Sequence, residues 1–327
     1  MTTIKKNLVR IWATAVAVLL PACAQPRIPV DSVDPNTSEP VVETLSVPRI
    51  FPADNPWNTD VSSYPVHPNS ASFIASMGFD VGLHPDFGTE YEGAPIGIPY
   101  VLVHGDQAAV PITFEYQDES DPGPYPIPPD FPIEGGSSST GDRHVIVIDV
   151  DQLKLYEVYN AFPLQNGASW HGDSGAVWNL TSNASRPEYW TSADAAGLPI
   201  FAGLVRYDEV VEKQAINHAL RFTVVKSQRA FIPPASHWAS SSTDPNLPPM
   251  GLRVRLKASF DETPFPQNIR VILRAMKRYG MLLADNGSNW YVSGAPDPRW
   301  NDDELRLLSQ VRGHDFEVIY TGDPITH

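Results

Sequence analysis

Cysteine is almost absent from this sequence: there is one, at position 23. A single cysteine cannot cross-link the chain to itself, so no internal disulfide braces the fold. Paired-cysteine and H-E-x-x-H patterns are also missing, which removes the usual zinc-ligand spacings. Basic residues are few, with 23 Lys and Arg against 38 Asp and Glu and a net charge of −15. A surface of that sign repels phosphate backbones and anionic headgroups, so nucleic acid is excluded as a partner. The same surface keeps an exported protein soluble and admits cations or neutral ligands. Long apolar runs are lacking too. Ile11 to Leu20 is too short for an ordinary transmembrane helix. No internal repeat is visible, and composition does not break after residue 50.

That short apolar run has a specific setting. Lys5, Lys6 and Arg10 precede it and Leu20-Pro21-Ala22-Cys23 follows it. A charged segment, an apolar segment and small residues in that order make residues 1–22 a signal peptide. The four residues ending at Cys23 resemble the lipobox of bacterial lipoproteins, so Cys23 is the expected lipidation site. Cleavage at the A-x-A pattern Ala22-Cys23-Ala24, giving simple secretion, is the alternative. Residues 1–22 hold three bases and no acids, so their removal takes the net charge from −15 to −18. Residues 23–49 have prolines at 26, 29, 35, 40 and 48 and read as a tether. The expected location is the bacterial cell envelope, with a lipid anchor as the membrane partner. Because Ala24 is not the aspartate of inner-membrane retention, the outer membrane is expected where one exists.

Proline is abundant, 33 in all, about twice the usual ~5% share. Spread along the chain, it disfavours long helices and central strands. The expected fold is a single β-rich domain over residues 50–322, a sandwich or distorted barrel of mostly antiparallel strands. Two helices are expected in its C-terminal third. One runs Gln267 to Tyr279, with Ile269, Ile272, Leu273 and Met276 on its apolar face and Gly280 ending it. The other is capped by Asn301 with Glu304 completing the box. A shorter helix is expected at Ser70 to Gly78. Asn217 to Val225 reads as a strand, and Met281–Asp285 with Asn289–Val292 reads as a hairpin about Asn286-Gly287.

The clearest strand signal is DRHVIVIDVDQLKLYEVY, Asp142 to Tyr159. A two-residue turn at Val150-Asp151 would set Ile148 opposite Leu153, Ile146 opposite Leu155 and His144 opposite Glu157. Glu157 on that apolar face must be paired or neutral. A carboxyl beside an imidazole is an acid/base pair, so Glu157 and His144 are the leading catalytic candidates, with Asp142 and His218 behind them. The structural alternative is a cross-strand pair that closes the core.

The stretches FPADNPWNTD, GDRHVIVID, TSADAAGLPI and YGMLLADNGS resemble a family of uncharacterised secreted bacterial proteins. The resemblance spans nearly all of residues 50–320. It implies one exported domain and carries no activity, cofactor or site residue.

Trp170, Trp178 and Trp190 lie in one loop-rich segment with Asp173, Asp194 and Arg206 nearby. Flat rings beside polar groups suit a glycan cleft, so these residues and Arg143 are the expected substrate contacts. The other reading is aromatic filling of a β core. The expected function is binding, and cleavage by hydrolysis or elimination, of extracellular or envelope polysaccharide. A non-catalytic glycan-binding scaffold is the alternative. No organic cofactor is expected. Asp118, Glu119 and Asp121 permit Ca²⁺ without matching an EF-hand loop. The H-x-D pairs at His84–Asp86 and His171–Asp173 and the GDSG at 172–175 are weaker signals, the last lacking the other parts of a serine-protease site.

Overall fold

The structure, a computed structural model, describes residues 45–326. Cys23, the expected signal segment and the expected tether up to residue 44 lie outside the described residues. Residues 45–49, expected to belong to the tether, lie within the same compact unit as the domain, where Val47 packs against the core.

Ten strands build the two larger sheets. They are β1 (His84–Asp86), β2 (Val101–Val103), β3 (Val145–Asp149), β4 (Lys154–Tyr159), β5 (Ser174–Asn179), β6 (Leu220–Val224), β7 (Arg253–Leu256), β8 (Met281–Asn286), β9 (Tyr291–Ser293) and β10 (Phe316–Val318). The four-stranded sheet has the order β5-β4-β3-β2, and the six-stranded sheet has β1-β9-β6-β8-β7-β10. The domain is β-rich as expected, and among the described residues its sheets are mixed and none closes into a barrel. Among the described residues three α-helices accompany them: α1 (Ser70–Gly78), α2 (Gln267–Arg278) and α3 (Asp302–Leu305).

Every residue of β3 is buried. Ile146 and Ile148 face the main core with Phe201, Phe222 and Trp290. Val145 and Val147 face a second cluster with Tyr125, Ile127 and Trp170. A strand covered on both faces reads as a continuous apolar run, and VIVI is one. In α2, Ile269, Ile272, Leu273 and Met276 are fully buried. Gly280 ends the helix at φ +70, where an added Cβ would stand 2.3 Å from the Val254 carbonyl oxygen, so only glycine fits. Asn301 caps α3 by accepting from the Glu304 N–H at 3.1 Å. The α-helix there is short and continues as a 3₁₀ turn, Arg306–Gln310.

Two expected pairings differ in the structure. In the β3–β4 hairpin, Ile148 faces Leu155 and Ile146 faces Glu157. The turn has four residues, because the Asp149 carboxylate accepts the N–H groups of Asp151 and Gln152 and Leu153 takes φ +52. The shift of two residues keeps every side chain on its expected face, and it separates His144 from Glu157. The second difference is larger. β8 and β9 form no hairpin, because β6 lies between them, parallel to β8 and antiparallel to β9. The N–H groups of Gly287 and Trp290, which should close the turn, donate to Val224 and Thr223 of β6.

Candidate active site

β6 carries a charge inside an apolar strand. Arg221 lies on the face opposite Leu220 and Phe222 and is 4% exposed. A buried guanidinium must be paired. Arg221 grips Asp194 with two bonds, Nη2 to Oδ1 at 2.7 Å and Nε to Oδ2 at 3.1 Å, and also reaches the Ser293 hydroxyl. Burial pushes the Asp194 carboxyl up, with Arg221 pulling against it.

Beside this pair stands Asp285, placed by a β-bulge. Phe222 pairs with Leu283 and Thr223 pairs with Asp285, so Ala284 is the extra residue on β8. Simple alternation would set Asp285 with Leu283 in the core. The bulge turns it to the face of Arg221, a re-aiming that bulges commonly perform near sites. The bulged Ala284 carbonyl then accepts the Ala196 N–H at 2.9 Å and ties the Asp194 loop to the strand. Gly197 lets that loop sit close, since a Cβ there would meet the Ser236 hydroxyl at 2.0 Å. Burial pushes Asp285 up to about 7, the charge on Asp194 adds to the rise, and Arg221 opposes it.

Asp194 and Asp285 line a cleft of about 460 Å³ with Tyr116, Glu119, Asp142 and His237. Behind it, His144 accepts no strand partner and turns to Glu134. Both its N–H and its Nδ1 meet Glu134 Oε2, at 3.0 and 2.7 Å. Its Nε2 lies 3.3 Å from the Ala193 carbonyl oxygen. Burial works against the imidazolium, and Glu134 outweighs it, raising His144 to about 9. His144 is therefore a cation at neutral pH and braces the cleft wall rather than accepting a proton.

Glu157 is elsewhere in function. It is fully buried. Its Oε2 accepts from the Trp178 indole at 3.1 Å and the Ile200 N–H at 3.0 Å, and its Oε1 from the Phe201 N–H at 2.8 Å. Burial pushes it up to about 7, against those three donors. With protein groups on both oxygens and no exposed surface, it pins the 200–203 turn to the four-stranded sheet and cannot meet a substrate. The His144–Glu157 pair is thus corrected, because the longer turn shifts the register.

The other expected contacts divide. Asp142 and Asp194 reach the cleft. Arg143 does not, because its guanidinium donates to the carbonyls of Ala161, Ser137 and Ser139 and covers the Phe162 ring. Trp170 and Trp178 are 1% and 6% exposed, and Trp190 is half-buried with Arg186 over its ring. The aromatic-core alternative holds for Trp170 and Trp178, since Trp178 packs in the main core and Trp170 in the second cluster with Tyr125 and Val147. Asp173 accepts from the Asn160 amide. His218 and Arg206 share a different cavity of about 700 Å³. There Glu209 bonds both, at 3.0 and 2.6 Å, so that larger cavity offers no uncommitted acid. Ser174 donates its hydroxyl to the Ser192 carbonyl at 2.7 Å.

The acidic cluster at 118–121 is spoken for in part. Asp121 pairs with Arg186 at 2.6 Å and Glu119 accepts the Thr191 N–H at 3.0 Å. Among the described residues no group of three or more His, Cys, Asp or Glu converges on a metal-sized position. The sequence offers no site role for Glu134, Arg221 or His237, and it places Asp285 only at the end of a hairpin strand. Arg221 inside LRFTV was the available signal, since a charge in a buried strand demands a partner.

No family model, curated protein or solved structure matches the chain.

Proposed function

We propose that this protein is an exported, lipid-anchored protein that processes extracellular or envelope glycan, with Asp285 as the proton donor. The observation that carries the reading is Asp285 itself: a carboxyl on a cleft wall, held near neutral pKa by burial and by Asp194. An acid poised at the working pH is what cleavage of a glycosidic bond requires. Hydrolysis needs a second carboxylate, and Asp142 in the same cleft supplies it. Asp194 is held by Arg221 and serves to keep Asp285 protonated. The anchoring part of the reading rests on the sequence around Cys23.

The test is a panel of soluble polysaccharides incubated with the mature domain, scored for reducing ends and for unsaturated products. Wild type is expected to release one or the other, and Asp285→Asn to lose at least ~100-fold of the rate. Turnover unchanged in Asp285→Asn removes the assignment. The engagement of Asp194 and Glu157 by the protein's own groups favours a second reading, a glycan-binding scaffold without turnover. That reading predicts retention on polysaccharide by both wild type and Asp285→Asn, and products from neither.

A further inference from the structure

The register of the six-stranded sheet sets a polar row across four strands. His84 of β1 lies beside Tyr291 of β9, Tyr291 beside Thr223 of β6, and Thr223 beside Asp285 of β8. A second row on the same face reads Asp86, Ser293, Arg221, the last two joined by a hydrogen bond. Three interstrand steps of about 4.8 Å span roughly 14 Å, longer than a single sugar ring.

At the β1 end the row opens into a second cavity of about 660 Å³, lined by His84, Asp86, Glu90, Tyr91, Tyr291 and Asp302. The His84 and Tyr291 rings stack there, 4.0 Å between centroids. Tyr91 is 67% exposed. It stands on a small hairpin, Glu90–Tyr91 against Ala94–Pro95. The hairpin is fixed at its base, where the Thr89 N–H donates to Asp302 Oδ1 at 3.0 Å and its hydroxyl to the other oxygen. Tyr91 also lines a third cavity of about 340 Å³ with Glu134, the carboxylate that holds His144 at the back of the acid cleft. The two distal cavities therefore share Tyr91 and Ile96, and the polar row and Glu134 lie between them and the acid cleft.

We propose that these cavities form one groove that seats a glycan chain without acidic sugars, running from Asp285 across the sheet to His84 and Tyr91. The aromatic rings are the distal subsite. This rests on the glycan reading above and adds the mode of binding and the substrate class. The class follows from charge. Asp86, Glu90, Glu134 and Asp302 line the distal part, while Arg306, the base lining it, pairs with Asp303. A uronate chain would be repelled at this distal part, where Asp86, Glu90 and Asp302 stand, whereas a neutral or amino-bearing chain finds rings to stack on and carboxylates to accept its hydroxyl or ammonium protons.

Native electrophoresis through gels containing polymer tests the groove without needing turnover. The probes are xylan, mannan and glycol chitosan as neutral or cationic chains, and alginate and polygalacturonate as uronates. Wild type and Asp285→Asn are expected to be retarded by at least one chain of the first group and by neither uronate. The double variant His84→Ala/Tyr91→Ala should need at least ten times more polymer for the same retardation while melting as wild type does. Both side chains are surface groups, so folding is expected to survive; Tyr91→Phe, which keeps the ring, should bind as wild type. Retardation by uronates alone, by no polymer, or equally for the double variant overturns the groove. Loss of turnover in Asp285→Asn is a separate result, so failure of the chemistry and failure of the groove are told apart.

Discussion

Replacing Glu157 with Gln separates a structural carboxyl from a catalytic one, and pH makes the difference measurable. The carboxyl receives three donors on two oxygens. A glutamine can keep the pair on Oε2, the Ile200 N–H and the Trp178 indole, and then turns its amide nitrogen to the Phe201 N–H. One buried donor loses its partner, at a cost of about 1–3 kcal/mol. Against this stands the ionisation of the wild type. Burial raises Glu157 from 4.5 to about 7, so the folded state holds the proton more tightly than the unfolded chain. The stabilisation from that proton is complete below 4.5 and is lost as pH rises through about 7, a change of about 3 kcal/mol in all. At pH 5 Glu157→Gln should therefore be less stable than wild type by about 1–3 kcal/mol. At pH 8 the wild type carries a buried charge that the variant does not, and the difference should shrink to zero or reverse by up to ~2 kcal/mol. Urea unfolding followed by tryptophan fluorescence at the two pH values reads both numbers. A variant with wild-type stability at both pH values and no turnover would refute the argument and return Glu157 to the chemistry.

Two further perturbations probe the frame of the cleft. Arg221→Met leaves Asp194 buried without its partner and should lower stability by about 3–5 kcal/mol; adding Asp194→Leu should recover much of that loss, and equal stability of single and double variants would mean the pair is not coupled. Gly280→Ala puts a Cβ 2.3 Å from the Val254 carbonyl at φ +70, so a loss above ~1 kcal/mol is expected in thermal or urea unfolding, and an unchanged midpoint would count against the tight α2–β8 turn.

Much of the local structure was legible in the chain. The apolar spacing of Ile269, Ile272, Leu273 and Met276 and the stop at Gly280 depend on residues close in sequence, and α2 spans Gln267–Arg278 accordingly. The same is true of α1 and of the two strands flanking Asp151, whose period of two survives a longer turn. Partners were less legible. Asn286-Gly287 carries the local signature of a hairpin turn, yet the donors that would close it are taken by β6, some 60 residues earlier in the chain. Nothing near Asn286 encodes that insertion.

The site divides in the same way. Composition and the residues before Cys23 sufficed to expect export, an acidic surface and no nucleic-acid partner, because charge sums and signal patterns need no neighbours. They also sufficed to draw attention to His144 and Glu157, since a polar side chain on an apolar face must find a partner. Which partner it finds is a tertiary matter. A four-residue turn sent Glu157 to the backbone of Ile200 and Phe201 and left His144 to Glu134. A single bulged residue, Ala284, turned Asp285 out of the core and beside Arg221 and Asp194. Side-chain facing alternates residue by residue, so one inserted residue reverses it, and the groups that select that residue come from other strands. For this reason the chain alone indicated that buried charges exist, and only the folded sheet decided which of them lines the cleft.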